Sequence, residues 1–432
     1  MNPALDVIIN QILRQPAIVM GFVILIGNVA LKNSVRDTLV ATIKAMVGML
    51  ILAVGSSTLV GASRPLMQSI FDRFGVTGVI IDPWTMVGEI EGGILPSEVM
   101  GLIGVAMTLG LLLCVVLARI TPIKTIYLTG HKAYADTVTM LFLVWFSTGT
   151  TGAPLLIVTV GFLLVYWWLA TWMFRPISRT VVGDAPITVG HNLLFGTFLA
   201  TLLARLFKPD PKKNPSCEEL KLPGFLSVFS DAVIGYSIIM GLMFFAIAVI
   251  VGPTYMGALS GAQNFLLFGF MQGLQVAVGM TILLMGVRMF LAELMPAFKG
   301  IADKIVPGAT AAIDTPAFWS YAPTATLVGF LSTSVGMFIG TGLLIAFNSP
   351  VVAFPSIIPM FFGGSTMGVF CNAKGGWKGT VFGCFILGLI LPLVSAYFAS
   401  WVGTSVGIQG HTDWGALWSP IFRVLRFITG GA

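Results

Sequence analysis

Apolar runs recur along the chain near residues 17–31, 39–61, 97–119, 137–149, 153–174, 190–206, 232–252, 262–286, 324–347, 350–371 and 378–402. A membrane-crossing helix needs about 20 apolar residues, and about ten of these runs meet or approach that length. The pattern predicts an all-α, polytopic membrane protein of about ten transmembrane helices. Gly or Pro interrupts 137–149 and 350–371, and 190–206 is short and mixed. Broken backbone is tolerated at membrane depth only where protein buries it or it lines a cavity, so re-entrant hairpins are expected. Residues 3–14 read as a short amphipathic helix, and the N-terminus has no small-residue cleavage site of a removable signal peptide.

Two stretches 231 residues apart resemble each other. VGMLILAVGSSTLVGASRPLMQSIFDRF (47–74) and VGMTILLMGVRMFLAELMPAFKGIADKI (278–305) agree without gaps at Val47/Val278, Gly48/Gly279, Met49/Met280, Ile51/Ile282, Leu52/Leu283, Gly55/Gly286, Pro65/Pro296, Ile70/Ile301 and Asp72/Asp303. After one inserted residue, Ile81-Asp82-Pro83 matches Ile313-Asp314-Thr315-Pro316. Each copy reads as a span, an amphipathic helix with a basic end, and a polar loop. An odd number of spans between the copies, about five, inverts the second relative to the first, and inverted repeats are a hallmark of alternating-access transporters. TPIKTIYLTGH (121–131) and PSIIPMFFGGS (355–365) occupy equivalent places as the expected hairpins. The expected organisation is a first half 1–204, a loop 205–223 and a second half 224–432.

Composition strengthens the membrane reading. The 432 residues are 56% hydrophobic and 9% charged, against about 25% charged in soluble domains. The net charge of +6 sits in loops and helix ends with no interleaved aromatic-basic stripe. The positive-inside rule accounts for it, and no nucleic-acid partner is expected. The same rule makes 205–223, with Arg205, Lys208, Lys212, Lys213 and Lys221, cytoplasmic. Lys32, Arg36 and Lys44 suggest the same side for the segment after the first span, which puts the N-terminus outside. Cys114, Cys217, Cys371 and Cys384 form no CxxC pair and read as packing residues. No P-loop, GxGxxG after a strand, HExxH or Cys/His metal spacing is present. No cofactor or metal is expected, and no ATP-driven pump in this chain alone.

Ionisable residues at membrane depth are costly and point to function. Asp314, between Ala-Ala-Ile and Thr-Pro, is the leading candidate. A carboxylate there can bind the hydroxyls of a polyol or act as general base on one of them; the alternative is a helix cap, since Asp-Thr-Pro is a good helix start. Asp82 is its repeat partner, with capping and substrate contact equally open. His131 and His191 each follow Gly at a segment boundary. A neutral imidazole donates one hydrogen bond and accepts another, which suits a sugar hydroxyl; each equally reads as a satisfied helix-end residue. Trp84 can stack on a sugar face or anchor at the interface. Four features are expected to be bland: Glu293 as a charge partner, Glu89, Glu91 and Glu98 in an exposed loop, Tyr166-Trp167-Trp168 in an aromatic belt, and His411 in a solvated loop.

RITPIKTIYLTGH (119–131), GVRMFLAE (286–293), VPGATAAIDTPAFWSYAP (306–323) and IPMFF (358–362), in this order, resemble the ascorbate-type IIC permease of the bacterial phosphoenolpyruvate-dependent phosphotransferase system. Gly224 after Lys-Leu-Pro and the pair Gly190-His191 fit the same pattern. The resemblance implies an inner-membrane homodimer with a sugar-holding core domain and a dimer-contact domain, each drawn from both halves. It also implies group translocation with cytoplasmic IIA and IIB subunits, the latter carrying the phosphocysteine. Carried over residue by residue, the binding site falls on Asp82, Pro83, Trp84 and Thr85, on His131, Tyr134 and Ala135, on His191 and Asn192, and on Asp314 and Thr315, with Asp314 as general base.

Three positions depart from the ascorbate pattern. The family carries glutamine where this chain has Ala135 and Asn192, and a hydroxyl residue where it has Pro83. The substrate expectation is therefore L-ascorbate or a related sugar or sugar acid, with a galactitol-type polyol permease as the alternative. A proton-coupled secondary transporter using Asp314 and the histidines is the alternative from another class. Longer relatives carry a further C-terminal span that is not expected after Arg426.

Overall fold

The structure is a computed structural model and describes residues 15–74, 78–220, 232–408 and 410–430. The expected helix 3–14 and the end of loop 205–223 lie outside the described residues. The chain is helical almost throughout. Its long elements are α1 (Pro16–Ala30), α2 (Val35–Phe74), α3 (Pro83–Glu89), α4 (Ile103–Ile120), α5 (Gly130–Thr148), α6 (Gly152–Leu164), α7 (Thr171–Val182), α8 (Leu194–Ala204), α9 (Ala232–Val251), α10 (Phe265–Lys304), α11 (Pro323–Ala346), α12 (Gly364–Val402) and α13 (Ser419–Thr429). Five short strands interrupt them: β1 (Gly78–Ile80), β2 (Thr125–Tyr127), β3 (Ile187–Val189), β4 (Thr310–Ile313) and β5 (Val352–Phe354).

Among the described residues, six helices are long and apolar enough to cross a membrane, and three shorter apolar helices accompany them. The run 190–206 folds as the loop that follows β3 and the short helix α8 rather than as one long helix. Ile43, Val47, Leu50 and Val54 form an exposed stripe on α2, while Ala45, Met49, Leu52 and Leu59 are buried behind it. Apolar side chains turned outward at helical spacing fit lipid, which does not penalise them.

The two repeat copies build α2 and α10, each 40 residues long with one interior proline, Pro65 and Pro296. These helices pack along their length and are flanked by α1 and α9. They run antiparallel. Gly48 meets Gly286 and Phe290, whereas Gly55, one heptad on, meets Gly279 and Leu283. The contact set maps onto itself when the copies are exchanged: Gly279 meets Gly55 and Leu59, and Gly286 meets Gly48 and Leu52. A Cβ added at any of these four glycines would come within 2.4–2.8 Å of a backbone nitrogen of the facing helix. Small residues are what allow backbones this close in a membrane, where packing rather than water exclusion drives association.

The strands join the halves. β1 pairs in parallel with β5, and β4 lies between β2 and β3, parallel to both. Ile408 adds a parallel bridge to Ile81. Segment 121–131 contains β2 ahead of the start of α5, and segment 355–365 follows β5 as a helical turn widened over Pro359–Gly363. These strands satisfy the main-chain groups that a broken helix would leave bare inside the protein.

Loop 205–219 is not loosely solvated. Asn214 donates to the Gly375 carbonyl at 2.7 Å, Cys217 N–H donates to Asn372, and Glu218 accepts from the first-turn amides of Thr324 and Ala325. The loop therefore caps α11 and fastens to the kink in α12 at Gly376, where φ is +58°.

Candidate functional site

β4 ends at Ile313, and Asp314 follows. Its Oδ1 accepts from the Thr315 amide at 2.7 Å, so the carboxylate does serve the turn before the short helix Pro316–Trp319. It also faces His191, whose Nε2 is 3.8 Å from Oδ1. His191 reaches this position because β3, beside β4, ends two residues before it. His191 is buried, and the Asp314 side chain keeps 14% of its surface. The bond to Thr315 and substrate contact are compatible, because a carboxylate has more lone pairs than the turn uses.

Asn192 is fully buried and donates to Asp136 at 3.1 Å. Asp136, in α5, also accepts from Trp167 Nε1 at 3.1 Å and from the Tyr127 hydroxyl at 3.3 Å. Lys132 is buried one turn earlier on the same helix, within electrostatic range of Asp136, Asp314 and Asp82. A buried carboxylate persists when charge and hydrogen bonds replace lost water. This network fixes the Asn192 amide, whose Oδ1 has no partner among the described residues. The buried Thr129 hydroxyl, just before α5, is likewise unpartnered among them.

Asp82 follows β1 as Asp314 follows β4, and its amide donates to the Ile408 carbonyl at 3.1 Å. Asp82 and Pro83 are buried. Ala135 is fully buried, Thr315 is buried beside Asp314, and half-buried Tyr134 donates to Glu91. Trp84, Thr85 and His131 stand in the first turns of α3 and α5, and their side chains lie outside the described set. Asp314 and Thr129 border a crevice of about 20 Å³ closed on its other side by Met20, Met49, Leu52, Val287 and Phe290 of α1, α2 and α10. Asp314 therefore sits where the end of β4 meets the paired repeat helices, and the other described candidate residues do not line this crevice.

Several bland expectations need correction. Trp167 is fully buried as an Asp136 ligand, and Tyr166 donates to Asp413 at 2.5 Å, so neither belongs to a lipid-facing belt. The widened turn Val165–Ala170 lies over β2 and brings these rings inward. Glu91 is half-buried in the turn Ile90–Ile94 as the partner of Tyr134. Glu293, by contrast, is a charge partner as expected, paired with Lys44 at 3.8 Å. His411 is buried against His191, ring centroids 4.9 Å apart and nearly perpendicular, because the Ile81–Ile408 bridge draws its loop inward. Sequence reasoning also missed Asp136 and Asp413. The signal for the first was a Lys132/Asp136 pair at i, i+4 in a largely apolar helix.

Parallel strands among membrane-length helices, with ionisable groups at their ends, describe a multi-pass membrane protein with a buried polar centre. Residues 11–415 match the family model EIIC-GAT, the PTS system sugar-specific permease component. The chain belongs to this family of bacterial phosphotransferase permeases, and it is a multi-pass protein of the bacterial cell membrane. It is 28% identical over 437 aligned positions to the ascorbate-specific PTS system EIIC component of Mycoplasma pneumoniae. The alignment covers 90% of this chain and 66% of that relative, so the chain spans just under two thirds of the relative's length.

Proposed function

We propose that the chain carries L-ascorbate or a related sugar acid across the membrane by alternating access, and that a cytoplasmic phospho-IIB phosphorylates it. The observation that carries this reading is the His191–Asp314 pair at the ends of β3 and β4, with Asn192 held beside it by Asp136. One carboxylate, an imidazole and an amide supply both donors and acceptors, which a polyhydroxylated ligand requires. Asp314 is the general base for the hydroxyl that attacks the phosphoryl group, and Asp82, Pro83, Trp84, Thr85, His131, Tyr134, Ala135 and Thr315 complete the site.

The self-matching glycine contacts of α2 and α10 support inverted repeats. The crevice between the strand ends and α1, α2 and α10 supports a division into a sugar-holding core and a second domain, which we assign to the contact between two copies of the chain. The family relation, not an observed interface, motivates the homodimer. Arg175, Arg179 and Lys299 line a cavity of about 490 Å³ at the ends of β3 and β4 remote from Asp314. The positive-inside rule makes that side cytoplasmic.

The substrate is tested by equilibrium binding of radiolabelled L-ascorbate to the full chain in detergent, with galactitol and sugar acids as competitors. Saturable ascorbate binding, unaffected by galactitol, is expected. Binding of galactitol with none of ascorbate would replace this reading with a polyol permease. Uptake in vesicles driven by a proton gradient without IIA and IIB would replace it with secondary transport.

A further inference from the structure

We propose that His411 is a second substrate-binding histidine, the repeat counterpart of His191, and that the two meet across the internal pseudo-two-fold to bind adjacent hydroxyls of one polyhydroxylated ligand. The inference rests on the sugar-permease reading above and adds a residue to its site.

The strand pattern assigns the equivalence. β4 is followed by Asp314 and pairs with β3, with Val189 opposite Ile313. β1 is followed by Asp82, and Ile408 bridges Ile81 in the same parallel sense. Ile81 and Ile313 are repeat mates, so Ile408 is the mate of Val189. Gly190-His191 follows Val189, and Gly410-His411 follows Ile408 after one extra residue, Gln409. Both glycines are required by close approach. A Cβ on Gly190 would lie 2.5 Å from the Ala312 carbonyl, and one on Gly410 would lie 2.9 Å from Pro83 Cδ. Each histidine is therefore delivered by a strand, then by a glycine tucked against the strand that carries an aspartate. Residues related by a two-fold approach each other only near its axis, and these two rings touch at 4.9 Å between centroids.

The surroundings hold the His411 loop in place. Asp413 accepts from the amides of Phe195 and Gly196 at 3.0 Å each and from Tyr166. It thereby pins the 410–413 loop to the start of α8, three residues after His191. Gly196 packs against Thr412. His411 itself is 3% exposed, and its ring stands nearly perpendicular to that of His191. Gly363, in the widened turn after β5, leaves room beside it: a Cβ built there would have His411 Nδ1 as its nearest neighbour, at 3.9 Å. A ligand hydroxyl bonded to His191 therefore lies beside the His411 ring, whose centroid is 4.9 Å from that of His191.

The test compares two replacements in the full chain. His411→Phe keeps the ring and its packing but no hydrogen-bonding atom, and His411→Gln keeps a donor and an acceptor. Labelled L-ascorbate is the probe, and ligand-free melting in detergent is measured alongside. Losing one neutral hydrogen bond corresponds to about a tenfold loss of affinity. His411→Phe is expected to weaken binding by about that factor with ligand-free melting unchanged, and His411→Gln to remain within about threefold of the parent. Parent-like binding by His411→Phe, or equal weakening by both variants, overturns the proposal. Should His411→Phe fail to fold, His411→Leu against His411→Asn makes the same comparison. A ligand-free arm tests the juxtaposition: His191→Cys/His411→Cys in membranes should yield a disulfide-linked peptide pair by mass spectrometry, and its absence under oxidation overturns the pairing. If the parent binds no ascorbate but the disulfide forms, the substrate reading fails while the pairing stands.

Discussion

At the scale of single residues, burial decides which polar groups can act. Cys217 is the clearest case of a group that cannot. It lies in the loop that caps α11, it is 1% exposed, and burial pushes its thiol pKa up to about 12. Only the thiolate is an effective nucleophile, so Cys217 is inert at neutral pH and cannot relay a phosphoryl group. Iodoacetamide at pH 8 should leave it unmodified in the folded protein and label it in denaturant, as read by mass spectrometry. Cys217→Ser should retain full IIB-dependent phosphorylation. Native-state labelling, or loss of turnover with sugar binding intact, would put a reactive cysteine in this chain. Asp314 and His191 drew notice in the sequence because each stands at a segment boundary near Gly or Pro, and Asn192 only through the family resemblance. Asp136 and Asp413 did not draw notice. Their roles depend on donors from distant elements, Tyr127, Trp167 and Asn192 for the one and Tyr166 and the α8 amides for the other. His411 misled for the same reason: Gly-Gln-Gly-His-Thr-Asp has the composition of a solvated loop, and only the bridge to Ile81 buries it.

At the scale of elements, the repeat was readable and its packing consequence follows. Gly48, Gly55, Gly279 and Gly286 match in sequence, and they are the positions where α2 and α10 touch backbone to backbone. Gly61, on the same helix as Gly55, has nothing within 4 Å of an added Cβ. Gly55→Ala and Gly286→Ala should each destabilise the protein by about 1–3 kcal/mol through overpacking, and by similar amounts because the two sites are interchangeable. Gly61→Ala should be neutral or slightly stabilising, since alanine is the better helix former. Thermal melting in one detergent checks all three, and a neutral Gly55→Ala would refute the tight crossing. The short strands were not legible. Three-residue strands carry no period-two pattern long enough to read, and Thr-Ile-Tyr or Val-Ala-Phe looks like more of the same apolar run. Their pairing joins residues far apart in the chain, which local sequence does not encode.

At the scale of the whole molecule, the proposed permease has two halves that would each deliver a strand, an aspartate and a histidine to one buried centre. The paired helices of the repeat form a wall against which Asp314 and Thr129 close a narrow crevice. Movement of the strand-bearing part along that wall would expose the centre to either side, which is the requirement of alternating access. The most direct measurement is binding beside phosphorylation for Asp314→Asn, in vesicles supplied with purified IIA, IIB and phosphoenolpyruvate, using L-ascorbate. The substitution keeps the size of the side chain and removes its charge. Affinity should fall about ten- to a hundredfold, the worth of a charged acceptor to a hydroxyl. Turnover at saturating sugar should fall by about a further hundredfold if the carboxylate also takes the hydroxyl proton. Near-parental binding and turnover in a correctly folded Asp314→Asn protein would reduce Asp314 to the cap of the Pro316–Trp319 turn and contradict the site.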